Sequence, residues 1–200
     1  MSCSIQEHRS GSWTPGLTPA EQATLFTIAR DTLVWCTQPP ANVFTFDAYT
    51  LTPVMQADTA TFVTLKVGGN LRGCIGSLEP YEPLYLSVHH NAVQAALHDP
   101  RFDAVRAAEL ARIHVDVSVL SPIRAIASLD EFVPGRHGII LTRGRARAVY
   151  LPEVAAEQGW TREQTLGSLS QKAGLPADAW RSGAHFQLFE SVVLSQAETP

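Results

Sequence analysis

The residues best suited to chemistry in this 200-residue chain are Cys74 and, two positions before it, Arg72, both inside Leu71-Arg72-Gly73-Cys74-Ile75-Gly76. Side chains two apart on an extended segment share one face and stand about 6.6 Å apart. A guanidinium is therefore expected beside the thiol, the setting in which a cysteine becomes a nucleophile. Gly73 and Gly76 remove side chains next to both and let a backbone or a ligand come close. Two uses follow. In one, Cys74 attacks or carries a small anionic metabolite. In the other, the Leu71–Gly76 segment is presented to a ligand or partner through Arg72, Gly73, Ile75 and Gly76. The plain alternative makes Cys74 a small buried filler and Arg72 a structural hydrogen-bond donor.

A nucleophilic cysteine usually works with a base. His89, His90 and His137 are the histidines near hairpin-like segments, and each has a simpler reading as a packed or solvated residue. His114, Asp116 and Ser118 supply the residue types of a hydrolase triad. They alternate along one strand, however, so they stand parallel rather than converging on a proton path. Arg101, in Asp99-Pro100-Arg101-Phe102, is a second candidate for holding a carboxylate or phosphate, because a guanidinium fork suits both. Arg143, Arg145 and Arg147 read as a solvated basic turn. Metal binding is not indicated: there is no H-E-x-x-H, adjacent His89 and His90 diverge on a helix, and the three cysteines lack ligand spacing. The glycines match neither a P-loop nor a dinucleotide fingerprint, so no cofactor is expected.

The elements that must position these groups can be read from period and punctuation. Phe62–Val67, a Gly68-Gly69-Asn70 turn and Leu71–Gly76 form a hairpin, since glycine and asparagine accept the positive φ of tight turns. Thr18-Pro19-Ala20-Glu21 is a capping box opening a helix with Leu25, Ile28, Ala29, Leu33 and Cys36 on its core face. Three prolines between Thr37 and Thr59 break any long element, leaving Phe44, Phe46 and Tyr49 to pack down as an irregular arm. A helix runs from about Leu84 to Leu97, with Ser87, Asn91, Gln94 and His98 expected on its polar side, followed by a short helix near 106–111. Ile113 to Val119 alternates as a strand with one wet face. A second hairpin spans Gly138 to Leu151, then come helices from Pro152 and Thr161 and a last strand from His185 to Leu194. Residues 1–16 and 195–200 are expected as loose tails around a single domain at 17–194, divided into sub-units near 60–120 and 121–194. The balance of 15 basic and 19 acidic residues does not favour a general grip on nucleic acid. With no apolar run long enough for a span and no leader-like start, a cytoplasmic location is expected.

Several stretches in order, Phe62-Val63-Thr64-Leu65, Leu71–Gly76, Asp99-Pro100-Arg101-Phe102, Val117-Ser118-Val119-Leu120, His137-Gly138, Leu151-Pro152 and Lys172-Ala173-Gly174-Leu175, resemble the AMMECR1-domain family. The resemblance implies an α+β fold of two related β-hairpin/helix units packed together. It also implies association with a Memo-like protein and a radical-SAM protein, the AmmeMemoRadiSam system. It assigns no reaction.

Overall fold

A computed structural model describes residues 5–38 and 42–196; Cys3, Pro39 and Pro40 lie outside them. The fold is α+β, and the chain divides into two compact units. The first contains residues through His8, Pro15–Leu120 and the chain from Val192 onward; the second contains Arg9–Thr14 and Ser121–Ser191.

The first unit is built on a five-stranded sheet. Its strands are β1 (Ile5–Arg9), β2 (Thr61–Val67), β3 (Asn70–Gly76), β4 (Ile113–Leu120) and β9 (Ser191–Gln196), in the spatial order β1-β9-β4-β2-β3. β2 lies between β3 and β4, antiparallel to both, with Val63 opposite Ile75 on one side and Val117 on the other. Two helices pack against this sheet: α1 (Pro19–Thr37) and α2 (Leu84–Leu97). α1 starts where the capping box places it, with Thr18 accepting from the Glu21 N–H and Glu21 reaching back to the Thr18 N–H. Leu25, Ile28, Ala29 and Leu33 of α1, Val63 and Leu65 of β2, Val88 and Ala92 of α2, and Val115 and Val117 of β4 are closed to solvent. Each such Val or Leu contributes roughly 1.5–3 kcal/mol relative to exposure.

Three sequence expectations change here. Residues 5–9, placed in a loose tail, form edge strand β1, and β9 runs through Gln196, into the stretch set aside as a C-terminal tail. Ser87 and Asn91, placed on the wet side of α2, are buried: the Ser87 hydroxyl meets that of Thr61 at 2.7 Å, and Asn91 Nδ2 donates to Thr61 O at 3.1 Å. Small polar groups that satisfy one another let the helix come close to β2, which periodicity alone does not reveal. The outer face of β4 is open only at His114, because Asp116 and Ser118 are each 5% exposed.

The second unit carries a four-stranded sheet of β5 (Arg124–Ala125), β6 (Gly138–Arg143), β7 (Ala146–Tyr150) and β8 (His185–Phe189), in the order β5-β8-β6-β7. α3 (Pro152–Glu157) and α4 (Arg162–Lys172) follow the hairpin. Phe132, Ile139, Leu141, Ala148, Leu166, Leu169, Phe186 and Leu188 form its core. The alternating run from His185 to Leu194 is two strands rather than one, broken at Glu190, whose carboxylate accepts from the Trp13 N–H and from Arg136 Nε.

Candidate functional site: Cys74 at the sheet edge

β3 is an edge strand, so alternate backbone groups along it have no neighbouring strand. At Cys74 both are taken by the loop after α2. The Asp99 carboxylate accepts the Cys74 N–H at 2.9 Å, and Arg101 Nη2 donates to the Cys74 carbonyl at 3.1 Å. Asp99 and Arg101 are themselves joined in a fork, Nε to Oδ1 at 2.9 Å and Nη2 to Oδ2 at 2.6 Å. The pair therefore caps the strand edge as a neighbouring strand would.

The electrostatics follow from this geometry. The Arg101 guanidinium, helped by the Cys74 and Arg101 N–H groups, holds the buried Asp99 carboxyl far below the usual carboxylate range, against the opposing cost of burial. Arg101 is held protonated more firmly than usual, first by its hydrogen bond to Asp99 and then, against burial, by the charge of Asp99. The Arg101 side chain is 53% exposed, with its guanidinium over the Phe102 ring. Among the described residues Nη1 of Arg101 has no hydrogen-bond partner.

The Cys74 thiol is partly exposed and accepts a hydrogen bond from Thr64 Oγ1 at 3.2 Å. Thr64 is its cross-strand partner because β3 carries a bulge: Leu65 faces Gly73, Lys66 faces Leu71, and Arg72 is the extra residue. That bulge breaks the regular alternation expected to align Arg72 with the thiol. The guanidinium of Arg72 binds Glu109 through Nε (2.9 Å) and Nη2 (3.2 Å), the Asp103 carbonyl through Nη1 (2.8 Å) and the Ala104 carbonyl through Nη2 (3.4 Å). None of these bonds reaches Cys74, so Arg72 ties the hairpin to residues 103–109. The cation that meets Cys74 is Arg101, bonded to its carbonyl and within electrostatic reach of its side chain.

Gly73 and Gly76 have the same kind of explanation. A Cβ on Gly73 would lie 2.2 Å from the Ala95 carbonyl oxygen of α2, and one on Gly76 would meet the Phe62 ring and the Thr61 carbonyl at 2.3 Å. The approaching group is the protein itself. Ile75 stands opposite buried Val63 and is partly exposed. Among the described residues no histidine is bonded to Cys74. His89 is buried against Trp35, Phe44 and Phe46 with Nδ1 on Thr32 Oγ1 (2.8 Å), His90 Nδ1 pairs with Glu82 (2.7 Å), and His137 Nδ1 accepts the Val133 N–H (3.1 Å). Nor do three or more His, Cys, Asp or Glu side chains among the described residues form a set that could hold a metal ion. No helix among the described residues is long and apolar enough to cross a membrane.

Asp99 and Thr64 are the residues sequence reasoning did not bring to the thiol. Asp99 was legible as a local partner of Arg101, but its bond to Cys74 spans 25 positions. Thr64 was hidden by the bulge, since counting back from the Gly68-Gly69 turn places Gly73 opposite it.

The family model AMMECR1 matches residues 26–194. Protein Mbar_A1807 of Methanosarcina barkeri is 37% identical over 155 residues, covering 75% of this chain and 77% of that protein. A protein of Methanothermobacter thermautotrophicus is 43% identical over 136 residues, covering 65% and 71%. The crystal structure of uncharacterized protein PH0010 from Pyrococcus horikoshii superposes with a TM-score of 0.76 at 28% identity, covering 88% of this chain and 95% of that one. The chain belongs to the AMMECR1 family.

Proposed function

We propose that this chain binds a small anionic ligand at Cys74 and Arg101, with the thiol in contact with the ligand or attached to it. One observation carries the reading. Asp99 fixes the Arg101 guanidinium on the Cys74 peptide and leaves Nη1 with no hydrogen-bond partner among the described residues, at the residue whose thiol is partly exposed. The other polar groups of the signature are consumed by the fold, so these two are what it offers to a ligand. Because Asp99 neutralises Arg101, the attraction rests on a directed N–H donor rather than on net charge, which favours a carboxylate or phosphate oxygen over a diffuse anionic surface.

The test compares iodoacetate with iodoacetamide, which differ in charge and little in shape. Iodoacetate is expected to gain on iodoacetamide at Cys74 by about three- to tenfold relative to Cys36. Arg101→Gln is expected to erase that preference. Equal ratios at both cysteines, or a preference that survives the substitution, sinks the reading.

A second reading concerns partners. The Memo-like and radical-SAM proteins implied by family resemblance would meet the hairpin at its tip rather than at Arg72. Leu71 is 42% exposed there, next to a turn whose glycines have open space around them. Leu71→Asp is expected to abolish capture of such a partner by the tagged chain, and undiminished capture rejects the tip as the docking point. We also infer that the two hairpin-and-helix units are related by duplication. In support, Lys172 Nζ donates to the Val149 carbonyl at 2.9 Å, the counterpart of Arg101 on Cys74 when the hairpins are aligned on Gly69 and Gly144.

A further inference from the structure

On the sheet face of the first unit that carries the Cys74 thiol, a second group of side chains is organised around Asp116. Asp116 is nearly closed to solvent, and both of its oxygens are taken. Oδ1 accepts from Ser195 Oγ at 2.7 Å and from His114 Nε2 at 3.1 Å, and Oδ2 accepts from Lys66 Nζ at 2.8 Å. A buried carboxylate saturated in this way is an anchor: it holds the lysine and the imidazole in fixed directions. Around them lies a hollow of about 520 Å³, lined also by Gln6, His8 and the Gly68-Gly69 turn.

What a molecule entering the hollow meets is decided by exposure. Lys66 and His114 side chains are 37% and 31% exposed, His8 is exposed, and the Asp116 side chain is only 7% exposed. Donors line the entrance, and the carboxylate lies behind them. They come from three strands, β1, β2 and β4, so they approach one point from different directions. A tetrahedral anion presents oxygens to all of them, whereas a planar carboxylate presents two. The lining has no Phe, Tyr or Trp ring and no large aliphatic side chain, which argues against a lipid or another apolar ligand. The volume exceeds that of phosphate alone and accommodates a small polar molecule attached to it.

The geometry points to a phosphate-binding site that takes the phosphomonoester of a small polar metabolite, gripped by Lys66, His114 and His8. This site is independent of the Cys74 reading, because neither Cys74 nor Arg101 lines the hollow.

Imidazole resonances of His8 and His114, followed by NMR at constant ionic strength, report on it directly. Inorganic phosphate and glycerol 3-phosphate are expected to give saturable shifts with a dissociation constant on the order of 1 mM, while acetate and glycerol give none. Lys66→Met is expected to weaken binding about tenfold or more. His8→Gln, at an exposed edge-strand position, is expected to weaken it about threefold with an unchanged melting temperature. It therefore decides the matter even if Lys66→Met fails to fold. Cys74→Ser is expected to leave binding intact, which separates this site from the thiol. No saturable shift, an equal response to acetate, or binding unchanged in His8→Gln or in a folded Lys66→Met overturns the assignment.

Discussion

Asp99 and Arg101 close on a single peptide: the carboxylate takes the Cys74 N–H and the guanidinium takes the Cys74 carbonyl, while the two side chains bind each other. Removing the acid leaves the Cys74 N–H without a partner and the half-exposed Arg101 cation without its counter-charge. Asp99→Ala is expected to cost about 3 kcal/mol in urea unfolding. The folded carboxyl titrates below its unfolded value, so the stability it supplies is present above the unfolded value near pH 3.9 and is lost as pH falls from there towards the folded one. The wild type is therefore expected to lose stability in that acid range more steeply than Asp99→Ala.

Arg72 acts through geometry rather than charge. Lysine keeps the charge but cannot reach Glu109 and two carbonyls from one planar group. Arg72→Lys is expected to lower stability by about 1–2 kcal/mol and to leave the iodoacetate preference at Cys74 unchanged. A stability within error of wild type shows that these bonds contribute nothing net.

Gly73 sets the distance between β3 and α2. With the Ala95 carbonyl only 2.2 Å from the position of an added Cβ, backbone must move against backbone. Gly73→Ala is expected to destabilise by about 2–4 kcal/mol, measured by chemical denaturation. Gly69→Ala, whose Cβ meets nothing, is expected to cost less, through its φ of +79° alone.

His89 supplies a pH dependence. Burial, and then the neighbouring charge of His90, push its imidazole down to about 4. The unfolded chain binds a proton near pH 6.5 and the folded chain does not. Stability is therefore unaffected above about 6.5 and falls between there and about 4, by up to roughly 3 kcal/mol. His89→Phe is expected to flatten that part of the stability curve, and a wild-type curve already flat between pH 6.5 and 4.5 contradicts the assignment.

The hairpin, the capped helix α1, α2 and the strand at 113–120 were legible because each is marked by local chemistry: glycines in a turn, a Thr-Pro-x-Glu start, a Pro stop. What was not legible depends on long-range fit. The bulge at Arg72 moves every partner beyond it by one position, and Arg101 rather than Arg72 is the cation that meets Cys74. Ser87 and Asn91 look solvent-facing until Thr61 is placed opposite them. Asp116 looks wet until Lys66, His114 and Ser195 converge on it from three strands. Polar residues that satisfy one another across the sheet leave no period in the sequence.

Strand β9 lies between β1 and β4, and β1 joins the sheet only through it. The segment that completes the first unit thus follows every other described strand in chain order. Until residues 191–196 are made, β4 keeps an open edge and β1 has no place to dock, so the first unit's sheet closes only after the strands of the second unit have been synthesised. Shortening the chain by this one strand removes the sheet's link between its two ends, and a bulky fusion placed directly after it strains the same closing step.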